Sequence, residues 1–250
     1  NVWCAAGKGT FGTAEVIKQV KAAKIEEVVN HKELILPQLG APGVSAHEVK
    51  KATGFKVLYG PIRAEEIMAY LDAGKVATPA MREVTFTLAE RAVLIPVEIS
   101  LLLGPLKWII PLIFILSGLG PSIWSLSAAF TRGFALFMGL LGGTIGGAVA
   151  VPLLLPYLPG RDFSLKGAAC GAGAVLLGLI AFGGPLNWIE ALALLLGGSA
   201  VASYAAMNFT GTTPYTSPTS VEKEMRRWVP YQAGAAALSL LAWVGGAFIG

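Results

Sequence analysis

The chain has 250 residues, of which 54% are hydrophobic and only 14% charged, and its mean hydropathy is +0.65. A soluble domain carries about 25% charged residues, so this balance argues against an ordinary soluble enzyme. It also excludes a disordered chain, which needs low hydrophobicity and high charge. The 31 glycines and 15 prolines show no three-residue period, so collagen is excluded too.

The charge is unevenly placed. Residues 1–91 hold 12 Lys/Arg and 10 Asp/Glu, and the remaining 159 residues hold 7 and 5. A polar head is joined to an apolar tail. The net charge is +4, but the basic residues of the head alternate with acids. That pattern speaks against a nucleic-acid partner. Cys4 and Cys170 provide neither a disulfide framework nor a CxxC metal motif.

The head reads as α/β. Thr13 opens a predicted helix to about Val29, with Val16, Ile17 and Val20 as its apolar stripe. Glu33–Leu36 is a short predicted strand ended by Pro37. The loop Gln38–Val44 follows. Ser45 and Glu48 have capping-box spacing, so a helix is expected to about Thr53. Phe55–Tyr59 is the second strand, and Gly60–Arg63 turns into a third helix over about 64–73, ended by Gly74. This order predicts parallel strands with right-handed crossovers and a ligand at their carboxyl ends. Two strands are too few for a doubly wound sheet. The head is therefore expected to be a Rossmann-like domain whose other strands precede Asn1.

Residues 75–83 read as a linker. Residues 84–103 are apolar but carry Glu90, Arg91 and Glu98, and are expected to be an amphipathic helix lying on a membrane surface. Five spans are expected at about 106–126, 133–157, 165–183, 187–206 and 229–250. The predicted domains are thus 1–83, 84–104 and 105–250. One set of loops holds Arg161, Lys166, Lys223, Arg226 and Arg227, and the other holds Arg132 alone. By the positive-inside rule the head is expected in the cytoplasm and the spans in the inner membrane.

Few residues suggest chemistry by type alone. Cys4 lies among small neighbours with Lys8 close by, which favours a thiolate. From type alone it reads more readily as an inert packing cysteine. Gly7-Lys8-Gly9-Thr10 lacks the Gly five residues before Gly7 that a phosphate loop needs, so ATP or GTP binding is rejected. His31 and His47 lack a second ligand pair and read as surface or capping residues. Glu190 reads as interfacial, and Cys170 as packing.

The segment Asn1-Val2-Trp3-Cys4-Ala5-Ala6-Gly7-Lys8-Gly9-Thr10-Phe11-Gly12-Thr13 resembles the cap-helix signature of the mercury-methylating corrinoid proteins, which are related to the large subunit of the corrinoid iron–sulfur proteins. Residues 36–67 look like the corrinoid-binding region of that family, whose members also end in about five membrane helices. The resemblance implies a cobalamin-like cobalt corrinoid as cofactor and a corrinoid-dependent methyltransferase activity on inorganic Hg(II). Cys4 would be the lower axial ligand of cobalt, with Asn1, Trp3, Ala5, Ala6, Gly7 and Lys8 shaping the cap. Gly40, Ala41, Gly43, Val44, Gly60, Pro61 and Arg63 would lie around the macrocycle or its tail; they are placed by Gly/Pro chemistry at the strand ends. The implied partners are a ferredoxin-like iron–sulfur electron donor and a folate-linked methyl donor protein. Two other functions stand beside this one: methyl transfer to another acceptor, and a transporter with a small regulatory head.

Overall fold

In the computed structural model, residues 11–182, 186–211, 213, 216 and 218–249 are described. The chain divides into two units, residues 1–85 and 86–250.

In the first unit, α1 (Thr13–Ala22) and the single turn α2 (Ile25–Val28) replace the one continuous helix expected to Val29. The break is at Lys24, whose backbone is left-handed at φ +46°. The strands β1 (Glu33–Leu36) and β2 (Lys56–Tyr59) pair in parallel, Glu33 opposite Lys56 and Leu36 opposite Tyr59. The helix between them, α3 (Ala46–Thr53), is capped as expected: the Ser45 side chain accepts the Glu48 amide, and Gly54 closes the other end at φ +77°.

Beyond β2, a 3-10 turn leads into α4 (Ile67–Asp72). It closes with Gly74 N donating to Leu71 O and Lys75 N to Tyr70 O, the paired bonds of a Schellman motif. Val16, Val20, Val44, Val49, Phe55 and Val57 form the core between the sheet and α1 and α3. The sheet has only these two strands among the described residues. The wider Rossmann-like sheet expected from the sequence is not present in them.

The second unit is helical apart from one small hairpin. Thr87 and Glu90 form a reciprocal capping box on α5 (Leu88–Ala92). Next comes α6 (Ile95–Ser117). The surface helix and the first span expected from the sequence are two parts of one bent rod here. The segments Leu88–Ser100 and Gly104–Ser117 meet at 59°. Pro105, which has no amide hydrogen to donate, stands at the junction.

The first span ends sooner than expected, at Ser117. A two-residue hairpin follows, β3 (Leu119–Gly120) with β4 (Ile123–Trp124). Ser125 then caps α7 (Leu126–Ile145) by accepting the Ala128 amide. A π-helical turn, Gly146–Ala150, carries α7 into α8 (Val151–Leu154), so the rod runs 32 residues from Leu126 to Tyr157. Pro152 follows that turn and lacks the amide that an unbroken α-helix would use. Three long helices complete the unit: α9 (Phe163–Phe182), α10 (Trp188–Thr210) and α11 (Pro218–Gly246).

Three rods among the described residues are long and apolar enough to cross a membrane, and the bent Leu88–Ser117 pair makes a fourth if counted as one span. The fifth expected span, 229–250, overlaps α11 up to the helix end at Gly246. That helix begins with Glu222, Lys223, Glu224, Arg226 and Arg227, and Gln232 and Ser239 interrupt its apolar half. Outward-facing positions of the unit are themselves apolar, among them Trp108, Phe130, Phe134, Leu177, Ile180 and Leu241. Surface of that kind is matched to lipid rather than to water.

Close backbone contact holds α7, α9 and α10 together. A Cβ on Gly143 would collide with the carbonyl of Gly198, and one on Gly147 with that of Ala202. Small residues at such spacing let membrane helices pack by van der Waals contact. The helices alternate in direction: the Phe163 ring lies 6.4 Å from that of Phe209, and Arg132 near the start of α7 pairs with Glu190 near the start of α10.

That ion pair is buried, with Arg132 13% and Glu190 6% exposed. Arg132 Nε donates to Glu190 Oε1 at 2.6 Å. Its Nη1 donates to the carbonyls of Ser117 and Leu119, and its Nη2 to that of Trp243. The guanidinium also lies over the Trp243 ring, 4.9 Å from its centre. Replacing one partner strands the other charge in an apolar setting, which costs about 3–5 kcal/mol. Glu190→Gln and Arg132→Gln are each expected to lower thermal stability in detergent by that amount. A double Arg132→Met/Glu190→Leu variant is expected to lose less than the two single losses added together.

Candidate functional site

The carboxyl ends of β1 and β2 carry the two Gly/Pro turns, and the structure brings them together at one edge of the sheet. After β1, residues 37–44 fold into a tight 3-10 turn, with Gly43 N and Val44 N both donating to Gly40 O at 3.0 and 3.1 Å. After β2, Gly60 N extends the ladder to Leu36 O at 2.8 Å, and Ile62 N donates to Met81 O at 3.0 Å. The phenol of Tyr59, the last residue of β2, donates to Val44 O and ties the first loop to the second strand.

Helix α1 starts at the same edge. Gly12 is its cap residue, and Thr13 Oγ1 accepts the Ser45 amide at 2.9 Å. An ideal Cβ on Gly12 would stand 3.9 Å from Gly43 O. The described end of the Asn1–Thr13 motif is therefore packed on the 37–44 loop. Cys4, Asn1, Trp3, Ala5, Ala6, Gly7 and Lys8 lie outside the described residues.

The expected loop residues fall into two groups. Gly40, Val44, Gly60 and Pro61 are buried by the chain itself. A Cβ on Gly40 would come within 2.5 Å of the Phe11 ring, and one on Gly60 within 3.0 Å of Ile35 Cγ2. Their small size is used by internal packing. Ala41 and Gly43 are half-buried and Arg63 is exposed. Arg63 Nη2 donates to Thr85 Oγ1.

Phe11 is the residue that reasoning from residue types passed over. It sits just before the helix cap Gly12 and five residues before Val16, and both Phe11 and Val16 belong to the core of the unit. An apolar residue before the cap facing one at the fourth helical position is a hydrophobic staple, and that spacing is visible in the sequence.

The two histidines play local parts. His31 Nδ1 accepts the Glu33 amide at 3.4 Å, and His47 is exposed on α3. Among the described residues no cluster of three His, Cys, Asp or Glu could hold a metal ion. A small cavity of about 180 Å³ lies beside Lys21, Lys24, Thr53 and Phe55, at the start of β2 and away from both turns.

Across the sheet edge, Lys75 Nζ donates to Glu33 Oε2. This hydrogen bond, reinforced by the ammonium charge, holds the Glu33 carboxyl below the usual carboxylate range. A lowered carboxyl stabilises the fold above its ordinary range, and that contribution is lost as pH falls through the lowered value. The melting temperature of the wild type is therefore expected to exceed that of Glu33→Gln at neutral pH. The gap is expected to close on acidification, and equal melting at neutral pH would refute the link.

The Phe11 contact gives a sharper test. Gly40→Ala is expected to destabilise the unit by about 1–3 kcal/mol through overpacking. Adding Phe11→Leu is expected to return part of that loss, a coupling read from a double-mutant cycle in chemical denaturation.

Among known proteins, the chain is 38% identical over 64 residues to the acetyl-CoA decarbonylase/synthase complex subunit gamma of Archaeoglobus fulgidus. The match covers 26% of this chain and 13% of that relative. No protein-family profile and no solved structure matches the chain. The chain is thus similar, over about a quarter of its length, to a subunit of the acetyl-CoA decarbonylase/synthase complex, and its second unit holds helices fit to cross a membrane.

Proposed function

We propose that this chain is a membrane-held, corrinoid-dependent methyltransferase that methylates inorganic Hg(II). The observation that carries the reading is the shared sheet edge: residues 11–13, the 37–44 loop and the 60–63 turn all stand there. In parallel α/β sheets that edge is where ligands bind. The 64-residue similarity to a subunit of a complex named for acetyl-CoA chemistry supports a corrinoid link at a coarser level.

The residues present fit a large planar group. Ala41 and Gly43 offer half-buried backbone with almost no side chain, and Arg63 presents a guanidinium at the rim. These three would hold the group and its polar tail. Cys4 would hold the cobalt through its sulfur, and Asn1, Trp3, Ala5, Ala6, Gly7 and Lys8 would close over the group. When bound, a cobalt corrinoid supplies a methyl group that an electrophile can accept as a carbanion equivalent. The chain's part is to present the Cys4 sulfur as thiolate, which Lys8 favours by its charge. Gly40 and Gly60, packed against Phe11 and Ile35, would form the floor of the edge.

A separate iron–sulfur protein of ferredoxin type would return electrons, and a folate-linked protein would supply the methyl group. The head would face the cytoplasm, on the side of Arg161, Lys166, Lys223, Arg226 and Arg227. Transfer to another acceptor is the second reading, and the similarity to the decarbonylase/synthase subunit favours it.

The test is methylmercury formation from Hg(II) by the whole protein with its reductant and methyl source. Cys4→Ala is expected to reduce the rate to background while membrane insertion and expression stay unchanged. Undiminished methylation by Cys4→Ala would remove the ligand role. Wild-type methyl transfer to a thiol or to an acyl-forming acceptor without methylmercury would replace Hg(II) as the substrate.

A further inference from the structure

A second cavity, of about 690 Å³, opens in the helical unit between the end of α8, the start of α9 and the first turns of α11. Its lining combines two chemistries. Phe86, Leu155 and Phe163 contribute apolar surface. Arg161, Lys166, Lys223 and Arg227 contribute cations, and the buried Arg91 lies among the same lining residues.

Two carboxylates share the cavity, and each has its own partner: Asp162 offsets the cavity's Arg227, and Glu224 is taken by Ser164. Asp162 accepts the Trp228 indole N–H at 3.0 Å and lies 3.6 Å from Arg227. Glu224 accepts both the amide and the hydroxyl of Ser164, at 2.6 and 2.8 Å. Arg91 is committed through Nη1 to the carbonyls of Pro152 and Leu153. Among the described residues, Arg161, Lys166 and Lys223 form no ion pair, although Lys166 lies 5.1 Å from the centre of the Phe163 ring. The cavity therefore carries positive charge that the protein leaves uncompensated.

We propose that this cavity binds a phosphate group carried by an amphiphile, the headgroup of an anionic membrane lipid. Arginine and lysine together suit phosphate by charge and by multiple N–H donors. The apolar surface of the lining has no use for a free ion but would receive the first part of an acyl chain. Basic pockets between membrane helices hold lipid headgroups in this way. The inference rests on the reading of this unit as membrane-embedded and is independent of the corrinoid site.

The whole protein is incorporated into nanodiscs of phosphatidylcholine alone or with phosphatidylglycerol, and lipid affinity is read from thermal unfolding against lipid fraction. Phosphatidylglycerol is expected to raise the melting temperature. The double variant Arg161→Gln/Lys223→Gln is expected to bind it about tenfold more weakly or worse, the effect of losing a charge-assisted hydrogen bond. Lys107→Gln removes a cation outside the cavity and is expected to behave as wild type. A third arm adds inorganic phosphate to phosphatidylcholine discs. If phosphate alone gives the full stabilisation, the ligand is a free phosphate and the lipid assignment is overturned. If phosphatidylglycerol stabilises wild type and double variant equally, the site is overturned. Failure to enter nanodiscs at all overturns the membrane reading and this proposal with it, whatever the corrinoid assay shows.

Discussion

The helical unit is organised around one buried guanidinium. Arg132 takes a carboxylate from α10, carbonyls from the end of α6 and the hairpin, and a carbonyl and an aromatic face from α11. A charge in an apolar setting is tolerated only when its donors are all used. Each helix end that meets Arg132 is thereby fixed in register with the others. Trp243 adds a second tie, its indole donating to the Ser117 hydroxyl at 2.9 Å. Asn187 and Glu190 complete the knot, capping α10 while the Asn187 amide donates to Gly246 O.

The opposite end of the unit is held by a similar device with different chemistry. There the carbonyls freed at Pro152 and Leu153 are taken by Arg91. Between the two arginines, Gly143 and Gly147 bring backbone against backbone, and two buried hydrogen bonds join α10 and α11: Gln232 Nε2 donates to Ser203 Oγ and Ser239 Oγ donates to Ala193 O. The small head is built on other terms. Its core is mostly valine and its loops are closed by backbone bonds, so water-driven burial and local capping hold it.

What the sequence made visible follows from the range of each signal. The cap at Ser45, the close at Gly74 and the parallel pairing of 33–36 with 56–59 rest on local chemistry, and all are found. The break at Lys24 was hidden, because nothing in its neighbours forbids a helix. The ends of the first two spans were misplaced for a different reason. Hydropathy averages over the hairpin at 119–124, whereas Ser125 as a cap marks the true start of α7. Arg132 and Glu190 were both noticed as single charges, but 58 residues separate them and no local pattern announces their pairing. The same holds for the cavity cations, which come from one loop and three helices far apart in the chain. Cys4 and its neighbours are legible only as a motif.

The rod from Leu126 to Tyr157 has one more consequence, which concerns length. Its 32 residues, at about 1.5 Å each, reach about 48 Å, whereas the hydrocarbon layer of a bilayer is about 30 Å thick. A straight rod of that length would have to tilt steeply or thin the membrane. The π-helical turn at Gly146–Ala150 lies within the rod, and beyond it Arg91 holds the last segment by its carbonyls. In a bilayer that surplus is long enough to lie within the headgroup layer. The protein would then meet the membrane surface with a measured length of ordered helix, a fixed rung at the depth where lipid charge begins.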